Sequence, residues 1–532
     1  MASSSRVSSL WRYSLLALVV VALSACGVKR SPSHSYPQGK GRGGDVVISQ
    51  ESQSYTPLAY NAKPEMRAVW LTTIYALDWP KTRGASPAVF RKQKEEFLQI
   101  LTELKNANFN TIFLQVRMRG DLLYPSAIEP QSSVLTGSSS IAPSYDPLAF
   151  AIEECHKRGI ALHAWIVTFP LGSRSHVASL GKKGVATKHP EWTIYHQGEY
   201  YLNPGLPEVR QYLCHLVEDL VSRYDVDGVH FDYIRYPEKA GSFKDNQTYK
   251  RYALPGQTKA EWREKNINTL LQDISKAVVS IRPYTLISTA PIGRYREIPG
   301  RRYTGWTAKE SVHQDPQTWF REGSVDFVVP MMYYRDELFD PYLRDWKEQM
   351  KGGTVIPGLG AYRTQDNSQW SPSVIEQQMQ LAQREGLNGI CFYRQENISH
   401  KKKELYDLIY HRFDFPVRPL PFNQRMLSIP SIPFFQSCEI IGDELILRWE
   451  PSDKKGNNYT YNLFFNLYDK KGHPSDDYLL APSIYANEYR LPLHIFPKHG
   501  KVHFRVEAMN RVNQVGRASP PLVIDLKGKR FL

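Results

Sequence analysis

The sequence predicts a (β/α)8 barrel followed by a small all-β domain. Between Met66 and about Arg412, eight apolar, strand-like segments alternate with eight helical segments, and about 350 residues are enough for an eight-stranded barrel with loop insertions. After a proline-rich stretch at residues 416–433 the pattern changes to short alternating strands, which indicates a second domain. At 532 residues, the chain is also too long for one ordinary core.

The barrel elements can be assigned one by one. The candidate strands begin at Met66, Thr111, Ala161, Gly228, Thr285, Asp326, Val355 and Gly389. The candidate helices cover residues 90–108, 147–158, 207–223, 259–281, 315–322, 341–350, 373–385 and 400–412. An open, doubly wound sheet is the competing fold, but no Gly-rich nucleotide-binding turn follows the first strand. The barrel, at residues 64–415, is therefore favoured.

The first 25 residues have the features of a secretory signal peptide. Arg6 and Arg12 precede an apolar run, residues 15–23, that is too short to span a membrane. The tetrapeptide that ends at Cys26 resembles a bacterial lipobox, so we expect a lipid on Cys26; an uncleaved membrane anchor is the alternative. Residues 26–63, rich in Ser, Gly, Pro and Lys, would be a flexible tether. Gly27 replaces the Asp that retains some lipoproteins in the inner membrane, which favours a cell-envelope location at the outer membrane.

Charge and motifs exclude several classes of protein. The net charge of +14 fits a basic solvated surface or an affinity for anionic glycans and lipids. An exported chain without a nucleic-acid-binding motif is not expected to bind nucleic acid. Cysteines 155, 214, 391 and 438 form no short-spaced pair, so small core residues are expected rather than metal ligands. HExxH, Walker and GxSxG motifs do not occur, and no cofactor is predicted.

Residues 434–532 predict a β-sandwich. Alternating strands begin at Glu444, Tyr459, Asn487 and Lys501. The strand that contains Trp449, and the run VHFRVEAMNRVNQVGRASPP, resemble a fibronectin type III domain. Such a domain more often spaces or positions a partner than catalyses a reaction, and residues 416–433 would be the linker to it.

The stretch VDGVHFDYIRYP, residues 226–237, carries the strongest indication of a reaction site. Side chains alternate along a strand, so Val229, Phe231 and Tyr233 face one way while His230 and Asp232 face the other. An apolar face against helices and a polar face with an imidazole and a carboxylate suggest a barrel strand that ends at a reaction site.

Other strand ends add polar and aromatic side chains to the same predicted site. Active sites of such barrels lie at the carboxyl ends of the strands. Aromatic rings stack on sugar rings, and carboxylates supply acid, base or nucleophile in glycoside hydrolysis. The predicted substrate-binding residues are Asp78, Trp79, Gln115, Arg117, Asp121, His163, Trp165, Tyr333, Tyr334 and Arg394.

Five motifs in order give a more specific resemblance. They are EMRAVWLTTIYALDWP, FLQVRMRGDLLYPS, HKRGIALHAWIV, NPGLPEVRQYL and VDGVHFDYIRYP, and together they are similar to the glycosyl-hydrolase-like family ten over about residues 65–412. That family consists of bacterial barrel proteins, often lipoproteins, and one relative cleaves peptidoglycan glycan strands stripped of their peptides. The resemblance implies a glycosidase, and Asp232 matches the strand-four Asp that the family places at its site.

The second catalytic group remains open. The Asp232 strand resembles the chitinase-type DGxDxDxE strand, but His230 replaces one acid and Ile234 stands where the proton-donating Glu would be. Tyr334 likewise takes the place of a sixth-strand Asp. The candidates for the partner of Asp232 are Asp78, Asp121, Asp315, Asp336 and Glu396. A helix N-cap is the alternative role for Asp315.

These observations lead to one main hypothesis and two alternatives. The main hypothesis is a lipid-anchored glycoside hydrolase that cleaves a polysaccharide, favoured to be peptidoglycan-type glycan. Asp232 would act as nucleophile or general base, His230 would orient it, and Asp315 or Glu396 would supply the second catalytic group. The alternatives are a glycan-binding lipoprotein that has lost its catalytic acid, and a lytic or transferase enzyme.

Overall fold

The computed structural model describes residues 58–300, 305–365, 370–452, 459–467, 475–496, 501–525 and 530–531. The predicted signal peptide, the lipidation site at Cys26 and most of the predicted tether lie outside these ranges. Within them, every helix is too short or too polar to cross a membrane.

Residues 66–392 form the predicted (β/α)8 barrel, which confirms the fold class. Its eight parallel strands are β1 Met66–Leu71, β2 Thr111–Arg117, β3 Ala161–Val167, β4 Gly228–Asp232, β5 Leu286–Ala290, β6 Phe327–Val328, β7 in two segments, Thr354–Val355 and Gly358–Leu359, and β8 Gly389–Phe392. Neighbouring strands pair in sequence order, and β8 pairs with β1. The first segment of β7 pairs with β6 and the second with β8, which closes the barrel.

One main helix follows each strand. The helices are α1 Pro87–Asn106, α2 Pro147–His156, α3 Pro207–Arg223, α4 Lys259–Ile281, α5 Pro316–Arg321, α6 Asp336–Met350, α7 Pro372–Arg384 and α8 Lys403–Arg412. Five of them, α1, α2, α3, α5 and α7, open with a proline at the first position, where the missing N–H costs no hydrogen bond. Thr258 and Glu261 form a capping box at the start of α4.

Some elements are shorter or longer than the sequence predicts. β4 ends at Asp232 instead of Ile234, because Tyr233 adopts a left-handed backbone (φ 51°). β6 is only two residues long, and Pro330, which lacks an N–H for the ladder, follows it closely. Helix α6 begins at Asp336, five residues before the predicted start, and contains Pro341 within it.

The barrel strands separate two apolar layers, as the alternation of their side chains predicts. Val229 and Phe231 pack in the layer between strands and helices. Trp70, Phe113 and Trp165 fill the barrel interior. The interior of the barrel is therefore a packed core, and space for a ligand exists only at its ends.

Smaller elements are inserted into the loops at the carboxyl ends of the strands. An antiparallel three-stranded sheet follows β3 and consists of Pro170–Ser173, Thr193–His196 and Glu199–Leu202. Short helices occupy the remaining connections at Ser133–Thr136, Arg174–Ser179, Val185–Lys188, Asn246–Tyr252 and Ala308–Val312. These insertions build the walls around the carboxyl ends of the strands, which we call the mouth.

The C-terminal residues form two antiparallel sheets, compatible with the predicted fibronectin-like sandwich. One sheet contains Phe435–Ile441, Glu444–Trp449 and Glu488–Pro492. The other contains Thr460–Leu467, Tyr478–Ile484, Lys501–Met509, Val515–Ala518, Leu522–Asp525 and Arg530–Phe531. Trp449 is buried in the core between the sheets.

The sandwich and the segment before it cover the amino-terminal end of the barrel. Phe422, within the segment predicted as a linker, is fully buried, and its ring lies 5.1 Å from that of Phe327 at the base of β6. Arg425 forms a two-pronged ion pair with Asp326 at 2.7 and 2.8 Å. Arg511 of the sandwich reaches Asp227, at the base of β4, at 2.8 Å. One end of the barrel is thus sealed, and the mouth is left for a substrate.

Candidate active site

Asp232 is the last residue of β4 and its carboxylate lies at the floor of the mouth. The residue is 6% exposed, and the N–H of Tyr233 donates to Oδ1 at 2.7 Å. Burial raises the pKa of Asp232 to about 6, against the lowering effects of Arg235, this N–H and Trp165. A carboxyl group with such a pKa can hold or release a proton near neutral pH, as acid–base catalysis requires.

Aromatic rings surround Asp232. Tyr333 and Tyr393 stack with centroids 5.4 Å apart, and Tyr362 meets both of them edge-on at 5.7 and 5.9 Å. The charge of Asp232 contributes to raising the pKa of both Tyr333 and Tyr393, although burial is the larger cause. Trp165 is also buried, and its indole contributes to lowering the pKa of Asp232. The carboxylate thus sits in an aromatic pocket.

Arg235 and Glu238 follow Asp232 in the same loop. Nη2 of Arg235 donates to Oε1 of Glu238 at 3.1 Å, and the positive charge of Arg235 is the strongest of the influences that lower the pKa of Asp232. The charge of Glu238 acts on Asp232 in the opposite direction. Glu238 is therefore a second carboxylate within electrostatic reach of Asp232.

The two histidines predicted for the site lie deeper in the barrel. The indole N–H of Trp70 donates to Nε2 of His230 at 3.0 Å, so the proton of His230 resides on Nδ1, which faces Oγ of Ser288 at 2.9 Å. Burial lowers the pKa of His230 well below its usual value. His163 is also fully buried, packed against Gly228 at the start of β4. Both are neutral packing residues, and neither reaches the mouth.

Asp78, Arg394 and Glu396 join the ends of β1 and β8. Asp78 is buried and accepts hydrogen bonds from Arg394 and from the N–H groups of Thr72 and Glu396. Partial burial acts to raise the pKa of Glu396, but contacts with Lys81 and Arg394 outweigh it and lower the pKa. Burial raises the pKa of Asp78, against the lowering effects of Arg394 and of the two N–H groups, so only Glu396 is held as an anion by its donors. These contacts fix the rim and leave Glu396 unsuited to donate a proton.

Three further predicted residues shape the loops after β1 and β2. Oε1 of Gln115 accepts hydrogen bonds from the N–H groups of residues 73 and 74. Arg117 is fully buried and forms a two-pronged ion pair with Glu129 at 2.6 and 2.8 Å. Asp121 accepts the N–H of Arg119 at 3.0 Å. These contacts support the rim: Gln115 and Asp121 accept backbone N–H groups, and Arg117 pairs with the carboxylate of Glu129.

The remaining predicted residues lie away from Asp232 or at its edge. Trp79 is fully buried on the helix side, where its indole donates to the carbonyl of Gln93 at 2.8 Å. Asp315 takes the alternative role, the N-cap of α5, with the N–H of Thr318 at 3.4 Å. Tyr334 lies beside Arg294, off the stacked tyrosines. The side chain of Asp336 lies outside the described part of the chain.

The structure adds residues that the sequence alone did not select. Tyr362, Tyr393, Arg235 and Glu238 lie around Asp232, and Tyr233 turns from the predicted outward face towards the mouth because of its left-handed backbone. Arg235 and Glu238 stand three and six residues after Asp232, so attention to the loop behind the strand could have found them. Among residues 58–531 as far as they are described, His, Cys, Asp and Glu form no metal-binding group of three.

Comparison with known proteins links this geometry to a family. Residues 65–371 match the family model described as glycosyl hydrolase-like 10. Glycosyl hydrolase YngK of Bacillus subtilis (strain 168) is 28% identical over 465 residues, 83% of this chain and 85% of the relative. Glycosyl hydrolase DigH of Escherichia coli (strain K12) is 32% identical over 336 residues, 60% of this chain and 74% of the relative. The glycoside hydrolase domain of PgaB (BpsB) from Bordetella bronchiseptica is more distant, with a TM-score of 0.47 and 14% identity over 65% of this chain and 98% of that domain.

Proposed function

This chain belongs to the glycosyl hydrolase-like 10 family and is a glycoside hydrolase, and from that premise we propose that it cleaves peptidoglycan-type glycan strands at Asp232. The observation that carries the proposal is the position of Asp232: a nearly buried carboxyl at the floor of the mouth, with a pKa of about 6 and tyrosines around it. Glycoside hydrolysis needs a group that gives or takes a proton at the bond between two sugars.

Asp232 is proposed as the proton donor. The sequence suggested a nucleophile or base, but burial favours the protonated form of a carboxyl group, as it does for acids that protonate a leaving-group oxygen. Glu238 is proposed as the second carboxylate, because its side chain is 26% exposed, pairs with Arg235 at 3.1 Å and carries a charge that acts on Asp232. Glycoside hydrolysis uses a pair of carboxyl groups, one as acid and the other as base or nucleophile.

The choice of glycan and of cellular location rests on the sequence. Five motifs resemble a family with a member active on peptide-free peptidoglycan strands, and the segment that ends at Cys26 resembles a lipobox. We propose that a lipid on Cys26 holds the enzyme in the cell envelope, at the outer membrane, where it meets this polymer. The basic net charge of +14 fits a polymer or a membrane surface that carries negative charge.

Product analysis tests the proposed reaction. Purified protein that begins after Cys26 should release soluble fragments from peptide-free glycan strands, and mass spectrometry should find ordinary reducing ends on them. Anhydro ends would instead indicate a lytic enzyme, and lengthened chains a transferase. Glycan strands that sediment with the protein but stay intact would contradict hydrolysis of this substrate.

The rate should depend on the protonation of Asp232. Because its pKa is raised to about 6, the protonated fraction falls about tenfold for each pH unit above 6. If Asp232 donates the proton, kcat/KM should decline as the pH rises above 6. A profile measured from pH 4 to 9 on soluble glycan oligomers checks this. A rate that rises through pH 6 would instead assign Asp232 as base or nucleophile.

A further inference from the structure

Two tyrosines stand out at the mouth by exposure and by backbone conformation. Tyr75, in the loop after β1, is 68% exposed, and Tyr233, directly after Asp232, is 38% exposed. Both have left-handed backbones, with φ of 57° and 51°, and no other tyrosine of the described residues does. This conformation is uncommon for bulky residues and costs on the order of 1 kcal/mol. Each of these tyrosines thus reaches solvent from a backbone conformation that is costly to form.

Arg119, in the loop after β2, holds the hydroxyl of Tyr75. Its Nη1 donates to the hydroxyl of Tyr75 at 2.7 Å, and its Nη2 pairs with Glu199 of the inserted sheet at 3.3 Å. Its charge also acts on the phenol of Tyr233. The backbone of Arg119 is fixed in turn, since its N–H donates to Asp121. One arginine therefore ties the loops after β1, β2 and β3 into one wall of the mouth.

The ring of Tyr233 packs against an arginine. The guanidinium of Arg235 lies 4.3 Å from its centroid, a cation–π contact that fixes the ring's orientation. The guanidinium of Arg119 is more distant from Tyr75, at 5.6 Å from the ring centroid, and bonds its hydroxyl. Both rings are thus contacted by an arginine and partly exposed, Tyr75 in the loop after β1 and Tyr233 directly after Asp232.

We propose that Tyr75 and Tyr233 are stacking platforms for sugar rings of the glycan on either side of the bond cleaved at Asp232, and that Arg119 is the residue that positions Tyr75. The inference rests on the proposed function. The C–H face of a pyranose ring matches an open aromatic face, which buries apolar area without leaving the sugar hydroxyls unpaired. Two platforms at separate loops fit a chain of several sugars better than a single disaccharide.

Removal of either ring should weaken glycan binding. In the Asp232→Asn background, which prevents turnover, Tyr75→Ala and Tyr233→Ala should each raise the Kd for the hexamer of N-acetylglucosamine about tenfold. The Kd for the dimer should change much less. In the otherwise unchanged enzyme, the same substitutions should raise KM more than they lower kcat. Calorimetric titration and oligomer kinetics measure these two effects.

Conservative and matched variants separate stacking from folding. Tyr75→Phe keeps the ring and should retain most of the affinity, while Arg119→Ala should weaken hexamer binding and leave the melting temperature nearly unchanged. Tyr195→Ala is the matched control: this ring is 39% exposed and lies 4.4 Å from Arg174. It projects from the opposite face of its hairpin to Glu199, which pairs with Arg119. Its loss should leave the hexamer Kd as it is.

The results distinguish this inference from the proposed reaction. Hexamer binding that depends on Tyr75 and Tyr233, in an enzyme that releases no fragments, would support the platforms and overturn the hydrolysis of these glycans. Normal hydrolysis, with Kd and KM unaffected by both alanine variants, would overturn the platforms alone. An equal loss of affinity in Tyr195→Ala, or no measurable hexamer binding by any variant, would also overturn the platforms.

Discussion

Asp232→Asn should reduce kcat on glycan strands about 10³-fold or more. The amide keeps the size of the side chain and can still accept the N–H of Tyr233, which is 2.7 Å away in the native enzyme. It can neither donate nor accept the catalytic proton, and general acid–base catalysis alone contributes about 10²–10⁴-fold. Initial rates of reducing-end release, at the pH optimum of the native enzyme, measure the loss. A variant with more than a tenth of the native kcat would remove Asp232 from the mechanism.

The same substitution should stabilise the fold at neutral pH. In the native state the pKa of Asp232 is about 6, above its value in the unfolded chain. The contribution of the protonated carboxyl to stability is therefore complete at low pH and is lost as pH rises through 6. The amide has no charged form, so at pH 7–8 it avoids a penalty on the order of 2–3 kcal/mol. A raised melting temperature at pH 8, with little change at pH 4, would exclude misfolding as the cause of inactivity.

Glu238→Gln, in the same loop, tests the proposed second carboxylate and can be compared with Asp232→Asn. Its side chain pairs with Arg235 and is partly exposed, so the substitution removes a charge near Asp232 without emptying a core. We expect a smaller loss of kcat than for Asp232→Asn, about 10²-fold. An unchanged rate would assign the second catalytic role to another group.

The sequence predicted the barrel because its signals are local and repeated. Alternation along β4 was enough to place His230 and Asp232 on the inner face, and Asp315 was rightly considered as an N-cap. Alternation does not show how deep in the barrel each of these side chains lies. His230 and Asp232 share a face, but two residues along a strand span about 7 Å. Because of this distance, His230 is buried against Trp70, whereas the carboxyl of Asp232 lies at the mouth.

The ion pairs of the predicted site residues could not be predicted from the sequence either. Arg117 pairs with Glu129, 12 residues further along the chain, and Arg394 pairs with neighbouring Glu396 and with Asp78 from the loop after β1. The sequence does not show which of the available carboxylates each arginine selects. Conversely, the left-handed backbone of Tyr233 turned a residue expected to face the helices into one at the rim. The backbone conformation directly after β4 therefore determines which side chains line the site.

The segment at residues 416–433 raises a related question, whether the two domains are independent. Its composition predicts a linker, yet Leu420 and Phe422 belong to the apolar cluster inside the barrel, together with Val512 of the sandwich. The N–H of Phe422 donates to the carbonyl of Val512 at 2.9 Å. The base of the barrel is thus completed by residues that follow it in the chain, and the two domains should unfold together.

Phe422→Ala should consequently destabilise the whole described fold, by about 3–5 kcal/mol. The ring is fully buried against Phe327, so its removal leaves a cavity at the base of the barrel that the flanking strands cannot fill. Met426→Ala is the matched control, since Met426 lies in the same segment and is 92% exposed; it should change stability little. Calorimetry should show one transition that moves to lower temperature in Phe422→Ala. Two transitions, of which only one moves, would show that the barrel does not need the sandwich, because a shared core has to melt as a unit.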